Sequence, residues 1–145
     1  MKNNKVIENL ETVLATSYLL MLKTHNYHWN VVGSNFKSLH ELFQLQYEEL
    51  FTATDELAER IRSLGSKVDG TIENFSKKSL VNKIDNSLSD KAMVADLIVD
   101  NEALIQIIKE GIKTAQNSED EVTAGMLTNR VQIHEKTVWM LQSSI

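Results

Sequence analysis

The sequence contains no cysteine and no proline, and it has only five glycines in 145 residues. Without cysteine the chain has no disulfide framework, no thiolate metal site and no nucleophilic thiol. Without proline, and with so little glycine, nothing in the composition interrupts long helices. No run of about 18 apolar residues occurs either, which excludes a membrane-spanning helix. These absences predict a helical protein that does not cross a membrane.

Charge of one sign is not concentrated anywhere along the chain. The net charge is −5 without a block of like charges, and Lys2 and Lys5 are the only basic residues before the first predicted helix. Phosphate binding needs a concentrated basic surface, so nucleic acid is disfavoured as the main partner. The start of the chain, MKNNKVIENLETV, is polar and lacks the apolar core of a signal peptide. We therefore expect a cytoplasmic protein with a single domain over residues 1–145.

Apolar residues at helical spacing predict four long helices. They run from about Lys5 to Val32, from a turn at Gly33 and Ser34 to about Leu64, over about Asp90–Gln116, and through Val122 to the C-terminus. We expect Gly65 to stop the second helix and Ser34 to cap its start. Ser118 and Glu121 match a capping box for the fourth helix.

The connections between these helices suggest how they pack. Residues 66–88 are polar, with one short helical segment expected around Ile72–Lys78. Two tight turns with a longer connection between them are typical of a four-helix bundle with one crossover. The predicted fold class is all-α, a ferritin-like bundle with a short extra helix in the long connection. An ordinary helical bundle without chemistry is the alternative.

Three of the four histidines lie in one stretch, KTHNYHWNVVGSNFKSLHELF. His28 precedes Ser34 by six residues and His40 follows it by six, so an antiparallel hairpin would bring the two imidazoles side by side. Neutral imidazole is a good ligand for first-row divalent metals, and such a pair can share an ion. The alternative is that the two histidines only bridge the helices by hydrogen bonds. We interpret His25 and His134 as packing or supporting residues.

Two carboxylates form the second cluster, in the run TDELAERI. Asp55 and Glu59 are four residues apart, so they project from one face of the second helix. Two carboxylates on one face could bind a cation. The alternative is a solvated acidic face on which Glu59 pairs with Arg60 or Arg62.

The two clusters cannot meet within one chain. His40 and Asp55 are fifteen residues apart on one helix, which corresponds to about 22 Å. If two copies of this helix pack antiparallel, His40 of one chain meets Asp55 and Glu59 of the other, with the two-fold axis near residue 48 or 49. A site inside one bundle is disfavoured, because no histidine here has a glutamate three residues before it.

The run HNYHWNVVGSNFKSLHELF, followed by YEELFTATDELAERIRSLG and later by KTVWMLQ, resembles the Dps-type miniferritins, named for DNA protection in starved cells. The resemblance covers essentially the whole chain. It implies a hollow homododecamer that oxidises Fe(II) to Fe(III), preferably with hydrogen peroxide, stores the ferric mineral and protects the cell from oxidative damage. It also implies a ferroxidase site made by His28 and His40 of one chain with Asp55 and Glu59 of the two-fold partner.

Other positions leave alternatives open. Many members of this family carry a carboxylate where this chain has Gln44, so we expect one iron to bind firmly and a second only transiently. Trp29 matches a tryptophan beside the family's site, where it either quenches oxidising equivalents or serves as an aromatic anchor. Asp120 and its acidic neighbours either line an iron-entry pore or cap a helix.

The alternative function is that of a protein that binds and compacts DNA, with little ferroxidase activity. Twelve copies of this chain would carry a charge of about −60 (12 × −5), which repels DNA within the screening length. DNA binding is therefore not expected to be the main activity.

Overall fold

A computed structural model describes residues 4–145. Over this range the chain forms helices and no strands, as the all-α prediction required. The helices are α1 (Asn4–Asn30), α2 (Phe36–Ser63), α3 (Ile72–Lys78), α4 (Asp90–Asn117) and α5 (Glu121–Gln142). The predicted short segment Ile72–Lys78 is confirmed as α3, and the long helices agree with the prediction to within a few residues at their ends.

The apolar stripe of each long helix forms one core. Leu10 and Leu20 of α1, Phe43 and Leu57 of α2 and Leu104 of α4 are among its fully buried side chains, each stabilising the fold by roughly 1.5–3 kcal/mol relative to exposure. Helix α1 packs on α2 and α4, and α4 packs on α5. The opposite faces are polar, and within residues 4–145 no helix is both long and apolar enough to cross a membrane. The four-helix bundle with one crossover is confirmed.

The turn between α1 and α2 differs from the prediction in its capping residue. Ser34 does not cap α2; Asn35 is the N-cap residue, and its side chain makes no capping hydrogen bond. A backbone hydrogen bond closes the turn instead, since Phe36 N–H donates to the carbonyl of Gly33 at 3.2 Å. Gly33 has a φ of 136°, a conformation that side chains with a Cβ rarely adopt. A tight hairpin therefore follows from the glycine rather than from a serine cap.

The start of α5 also differs from the prediction. Ser118 is the C-cap residue of α4, and Asp120 is the N-cap of α5, its carboxylate accepting from Thr123 N–H at 3.0 Å. The capping box of Ser118 and Glu121 is therefore wrong. Arg60 of α2 also donates to the Asp120 carboxylate, at 3.1 Å, and this second partner favours Asp120 as the cap. Gly65, with a φ of 94°, ends α2 as predicted.

The long crossover is attached to the bundle by a buried cation. The Lys23 side chain is fully buried, and its ammonium lies 2.7 Å from Asp96 and 2.6 Å from Asp100. It also donates to the carbonyl of Asn82 at 3.1 Å, while Asn82 N–H donates to Asp100 at 3.1 Å. Burial raises the pKa of Asp100 despite the nearby Lys23. The network holds the segment that precedes α4 against α1.

Candidate metal centre

The hairpin places two imidazole rings face to face. His28 lies near the end of α1 and His40 in the second turn of α2, and their ring centroids are 3.7 Å apart with an interplanar angle of 16°. His28 is 7% exposed, and His40 is partly buried. The prediction that these two side chains lie side by side is confirmed.

Reciprocal hydrogen bonds determine the tautomer of each neutral ring in the pair. His28 Nδ1 lies 2.7 Å from the carbonyl of His40, and His40 Nδ1 lies 2.7 Å from the carbonyl of His28. A carbonyl oxygen can only accept, so each neutral ring carries its proton on Nδ1 and keeps a lone pair on Nε2. Carbonyl partners of this kind orient histidines that bind metals. The two histidines do bridge the helices by hydrogen bonds, but only through their Nδ1 atoms. Both Nε2 atoms are still available as ligands.

An aromatic layer lies beside the histidine pair. The ring of His25 lies 3.8 Å from the ring of Trp29 and 4.1 Å from that of Tyr47, measured between centroids. Tyr47 also meets His28 edge-on at 5.2 Å. Partial burial, and secondarily the neighbouring His28, lowers the pKa of His25. His25 is therefore part of a neutral stack next to the pair.

Tyr47 was missed by the sequence analysis, although a signal was available. It follows His40 by seven residues, which is two helical turns, so it shares a face with that histidine. Trp29 is 59% exposed. Its position next to His28 in the sequence agrees both with a role in quenching oxidising equivalents and with a role as an aromatic anchor.

The two carboxylates form a separate pair further along α2. Asp55 and Glu59 are both exposed. A hydrogen bond between the two carboxyl groups, together with their charge repulsion, raises the pKa of Glu59. Two carboxyl groups this close together are suited to a cation, which would relieve their repulsion. Arg60 donates to Asp120 and Arg62 to the Ser66 carbonyl, so neither is paired with Glu59 in the described range.

One subunit does not unite the two pairs. His40 and Asp55 both lie on the continuous helix α2, where fifteen residues correspond to about 22 Å. Within the described part of the chain, no three or more His, Asp or Glu side chains are grouped so that they could hold a metal ion. Each pair by itself therefore offers only two protein ligands.

The face of α2 between the pairs is open and carries both polar and apolar side chains. Phe51, one turn before Asp55, is 63% exposed. A cavity of about 510 Å³ is lined here by residues of α1 and α2, namely Met21, His25, Tyr47, Glu48, Phe51 and Thr52. On the same face, the Gln44 side chain donates to Glu48 at 2.9 Å. An exposed phenylalanine beside an apolar cavity is a candidate contact surface for another chain.

Comparison with known proteins identifies the family. The model of the ferritin-like domain matches residues 7–145. The DNA protection during starvation protein 2 of Bacillus anthracis is 36% identical over 141 residues, which cover 97% of each chain. The chain belongs to the Dps-type miniferritins.

Solved structures of this family superimpose closely on the chain. A Dps protein from Bacillus brevis matches with a TM-score of 0.95 and 34% identity, covering 99% of this chain and 98% of that one. Dps from Vibrio cholerae, described as a member of a broad superfamily of ferritin-like diiron-carboxylate proteins, matches with a TM-score of 0.92 and 27% identity, covering 97% of this chain and 88% of that one. The miniferritin fold therefore extends over essentially the whole chain.

Proposed function

We propose that this miniferritin oxidises Fe(II), preferably with hydrogen peroxide, at sites shared by two subunits, and stores the ferric product inside a hollow dodecamer. The observation that carries the proposal is the histidine pair at the hairpin. Its Nδ1 atoms are bound to carbonyl oxygens, and its Nε2 lone pairs are available. The description of the Vibrio cholerae relative as a diiron-carboxylate protein supports iron as the metal.

The complete site needs a second copy of the chain. Asp55 and Glu59 supply the hard oxygen ligands that the histidine pair lacks, and Asp55 lies about 22 Å from His40 along α2. An antiparallel α2–α2 contact brings the carboxylates of one chain to the histidines of the other and forms two identical sites. The exposed Phe51 and the apolar hollow beside it supply the surface for that contact.

The mixed ligand set suits the proposed reaction. Imidazole nitrogen holds Fe(II), carboxylate oxygen stabilises Fe(III), and open coordination positions admit the oxidant. Two Fe(II) ions each give one electron to one hydrogen peroxide, whose O–O bond breaks, and two protons complete two waters. Because both electrons arrive together, no hydroxyl radical is released. Such chemistry protects the cell without contact with DNA.

Gln44 limits the site to one firmly held iron. Asp55 and Glu59 neutralise one Fe²⁺, whereas a second ion finds a neutral amide at the position where many relatives carry a carboxylate. We expect anaerobic Co(II) titration to give one tight metal per site in the native protein and two in Gln44→Asp. Two firmly bound metals per site in a native crystal soaked with Fe(II) would contradict this expectation.

Mixing of inactive subunits tests the shared site directly. One variant carries His28→Ala and His40→Ala, and the other carries Asp55→Ala and Glu59→Ala. Each is expected to be inactive alone in an anaerobic Fe(II) load followed by a peroxide pulse, with ferric absorbance as the readout. After co-assembly at equal amounts, half of the dimers are mixed, and one of their two sites has all four ligands. The expected activity is therefore about a quarter of the native value (1/2 × 1/2).

The mixing experiment has outcomes that separate the alternatives. No recovery in verified mixed assemblies would mean that the four residues do not form a shared site. Native-like oxidation in both parent variants would mean that these residues do not catalyse it, and a gel shift in low salt without metal would then test the DNA-binding alternative.

A further inference from the structure

A second cluster of potential metal ligands lies inside the bundle, away from the hairpin. Arg130 and His134 of α5 are 3% and 1% exposed, and Asn101 of α4 is 3% exposed. Glu49 of α2 closes the cluster on the outer side, with its side chain 38% exposed. None of these residues belongs to the proposed ferroxidase site.

A chain of hydrogen bonds orients His134 as a metal-binding histidine would be oriented. Asn101 donates through its amide nitrogen to the Leu97 carbonyl at 2.8 Å, so its amide oxygen is left to accept from His134 Nδ1, 2.9 Å away. The proton of the neutral imidazole is therefore on Nδ1, and the lone pair is on Nε2. That lone pair accepts from Arg130 Nη2 at 2.9 Å.

One atom of Arg130 occupies the point where the ligands converge. Nη2 lies 2.9 Å from His134 Nε2 and 3.0 Å from Glu49 Oε1, while Nη1 donates to the other oxygen of Glu49. A carboxylate and an imidazole thus face a single cationic position. Metal–ligand bonds to these two groups are about 2.0–2.2 Å long, so each side chain would need to move inward by less than about 1 Å to bind a metal there.

The surroundings provide polar space beside this position. A cavity of about 10 Å³ is lined by Thr24, Gln46, Glu49, Leu50, Asn101, His134 and Thr137, which is room for about one water molecule. The Nε atom of Arg130 and the Nε2 atom of Gln46 are buried without a hydrogen-bond partner in residues 4–145. The interior is therefore polar enough to accept a hydrated ion if the guanidinium is removed.

We propose that Arg130 takes the place of a divalent metal ion in this bundle and keeps its interior metal-free. The interior of a four-helix bundle is where ferritin-like di-iron proteins build their sites from facing helices. Here the guanidinium satisfies the carboxylate and the imidazole with a charge that cannot dissociate from the chain. The conclusion that iron is thereby confined to the intersubunit sites rests on the proposed function. The latent metal site in the bundle interior does not depend on that function.

Co(II) titration tests the proposal in the His28→Ala/His40→Ala background, from which the hairpin ligands are removed. Adding Arg130→Ser is expected to create one new Co(II) site per chain, detected by calorimetry and by the visible d–d absorption of a nitrogen-bound ion. Metal that binds only the folded state also stabilises it. At a hundredfold excess over Kd we expect the melting temperature to rise by about 5–10 °C.

Three matched variants test the composition of the site. Arg130→Lys keeps a cation at the same place and is expected to bind no Co(II). Arg130→Ser combined with His134→Gln removes the nitrogen ligand and is expected to lose both the absorption and the thermal shift. Arg130→Asp adds a third ligand, so it is expected to bind more tightly than Arg130→Ser and to fold with metal even where the serine variant is marginal.

The proposal is overturned if neither Arg130→Ser nor Arg130→Asp binds Co(II) or gains thermal stability from it. Binding that persists after His134→Gln would also overturn it, because the site would then lie elsewhere. These results do not depend on ferroxidase activity, so a failure here is distinguishable from a failure of the proposed function.

Discussion

The histidine pair at the hairpin and the buried His134 in the bundle differ in what lies next to one ring nitrogen, Nε2. At the hairpin, Nδ1 of His28 and of His40 is bound to a carbonyl, and Nε2 is available. In the bundle, Nδ1 of His134 is held in the same way by Asn101, but Nε2 is taken by Arg130. The orientation of a histidine therefore does not decide whether its second nitrogen is available to a ligand. The group next to that nitrogen decides it.

The largest expected effect comes from removing the hairpin histidines. His28→Ala/His40→Ala should slow peroxide-driven Fe(II) oxidation by more than about 100-fold, because losing only an outer hydrogen-bond partner of a metal ligand costs on the order of 10- to 100-fold in metal affinity or activity, and this variant removes two proposed ligands. His134→Gln is the matched control and should stay within about twofold of the native rate. Stopped-flow ferric absorbance makes the comparison. A slow His134→Gln variant with native assembly would mean that the bundle histidine also takes part in oxidation.

The next effect is on stability and concerns His134. Burial, and secondarily the adjacent Arg130, lowers the pKa of His134 to about 3. The unfolded chain takes up this proton near pH 6.5, so between 6.5 and about 3 it binds one proton more than the folded chain. As the pH is lowered through this window, the free energy of unfolding should therefore fall by up to about 1.4 kcal/mol per pH unit, or by about 2.3 kcal/mol between pH 6.5 and 4.5, because the unfolded histidine is already half protonated at pH 6.5. Urea titrations at several pH values measure it.

The matched variant separates this contribution from those of the carboxylates. His134→Gln lacks the titrating group, so its stability should decline less steeply below pH 6.5, whereas the contribution of Asp100 is present in both proteins. Equal slopes in the two proteins would show that His134 takes up a proton in the folded state as readily as in the unfolded one.

A smaller effect is expected at the residue that orients His134. Asn101→Leu removes the acceptor of His134 Nδ1–H and leaves that donor buried, which costs about 1–3 kcal/mol of unfolding free energy. Ferroxidase activity should be unchanged, because the hairpin histidines use backbone carbonyls and not Asn101. Chemical denaturation together with the peroxide assay tests both statements. Wild-type stability in Asn101→Leu would contradict the assigned hydrogen bond.

The smallest effect is expected at His25. This ring stacks between Trp29 and Tyr47, and it is not one of the proposed ligands. His25→Phe keeps an aromatic ring in the stack, so Fe(II) oxidation should remain within about threefold of the native rate. A loss comparable to that of the hairpin double variant would place His25 among the ligands.

The main features of the fold followed from local patterns, and the two cap predictions show where those patterns fail. Ser34 and Ser118 are both good capping residues by type, yet Asn35 and Asp120 stand at the caps. Arg60 contributes to the second outcome from another helix, since it pairs with Asp120 at 3.1 Å. A local rule cannot include a partner sixty residues away.

The proposed centre was predictable to a similar degree. The spacing around Ser34 brings His28 and His40 together, and the four-residue interval aligns Asp55 with Glu59. Tyr47 was missed because a lone tyrosine two turns from a histidine is unremarkable until α1 brings His25 beside it. The spacing on α2 also shows that a single copy cannot unite the four residues.

The sequence by itself determined the helices, the histidine pair, the carboxylate pair and the distance between them, because helical rise and periodicity are local properties of the backbone. Only the tertiary structure decided which imidazole nitrogens are available. His28 and His40 each bond to a carbonyl on the opposite helix, and Glu49 meets Arg130 across 81 positions of sequence. Such contacts depend on how the helices pack. The spacing of residues along one helix does not show which side chains of another helix they will meet.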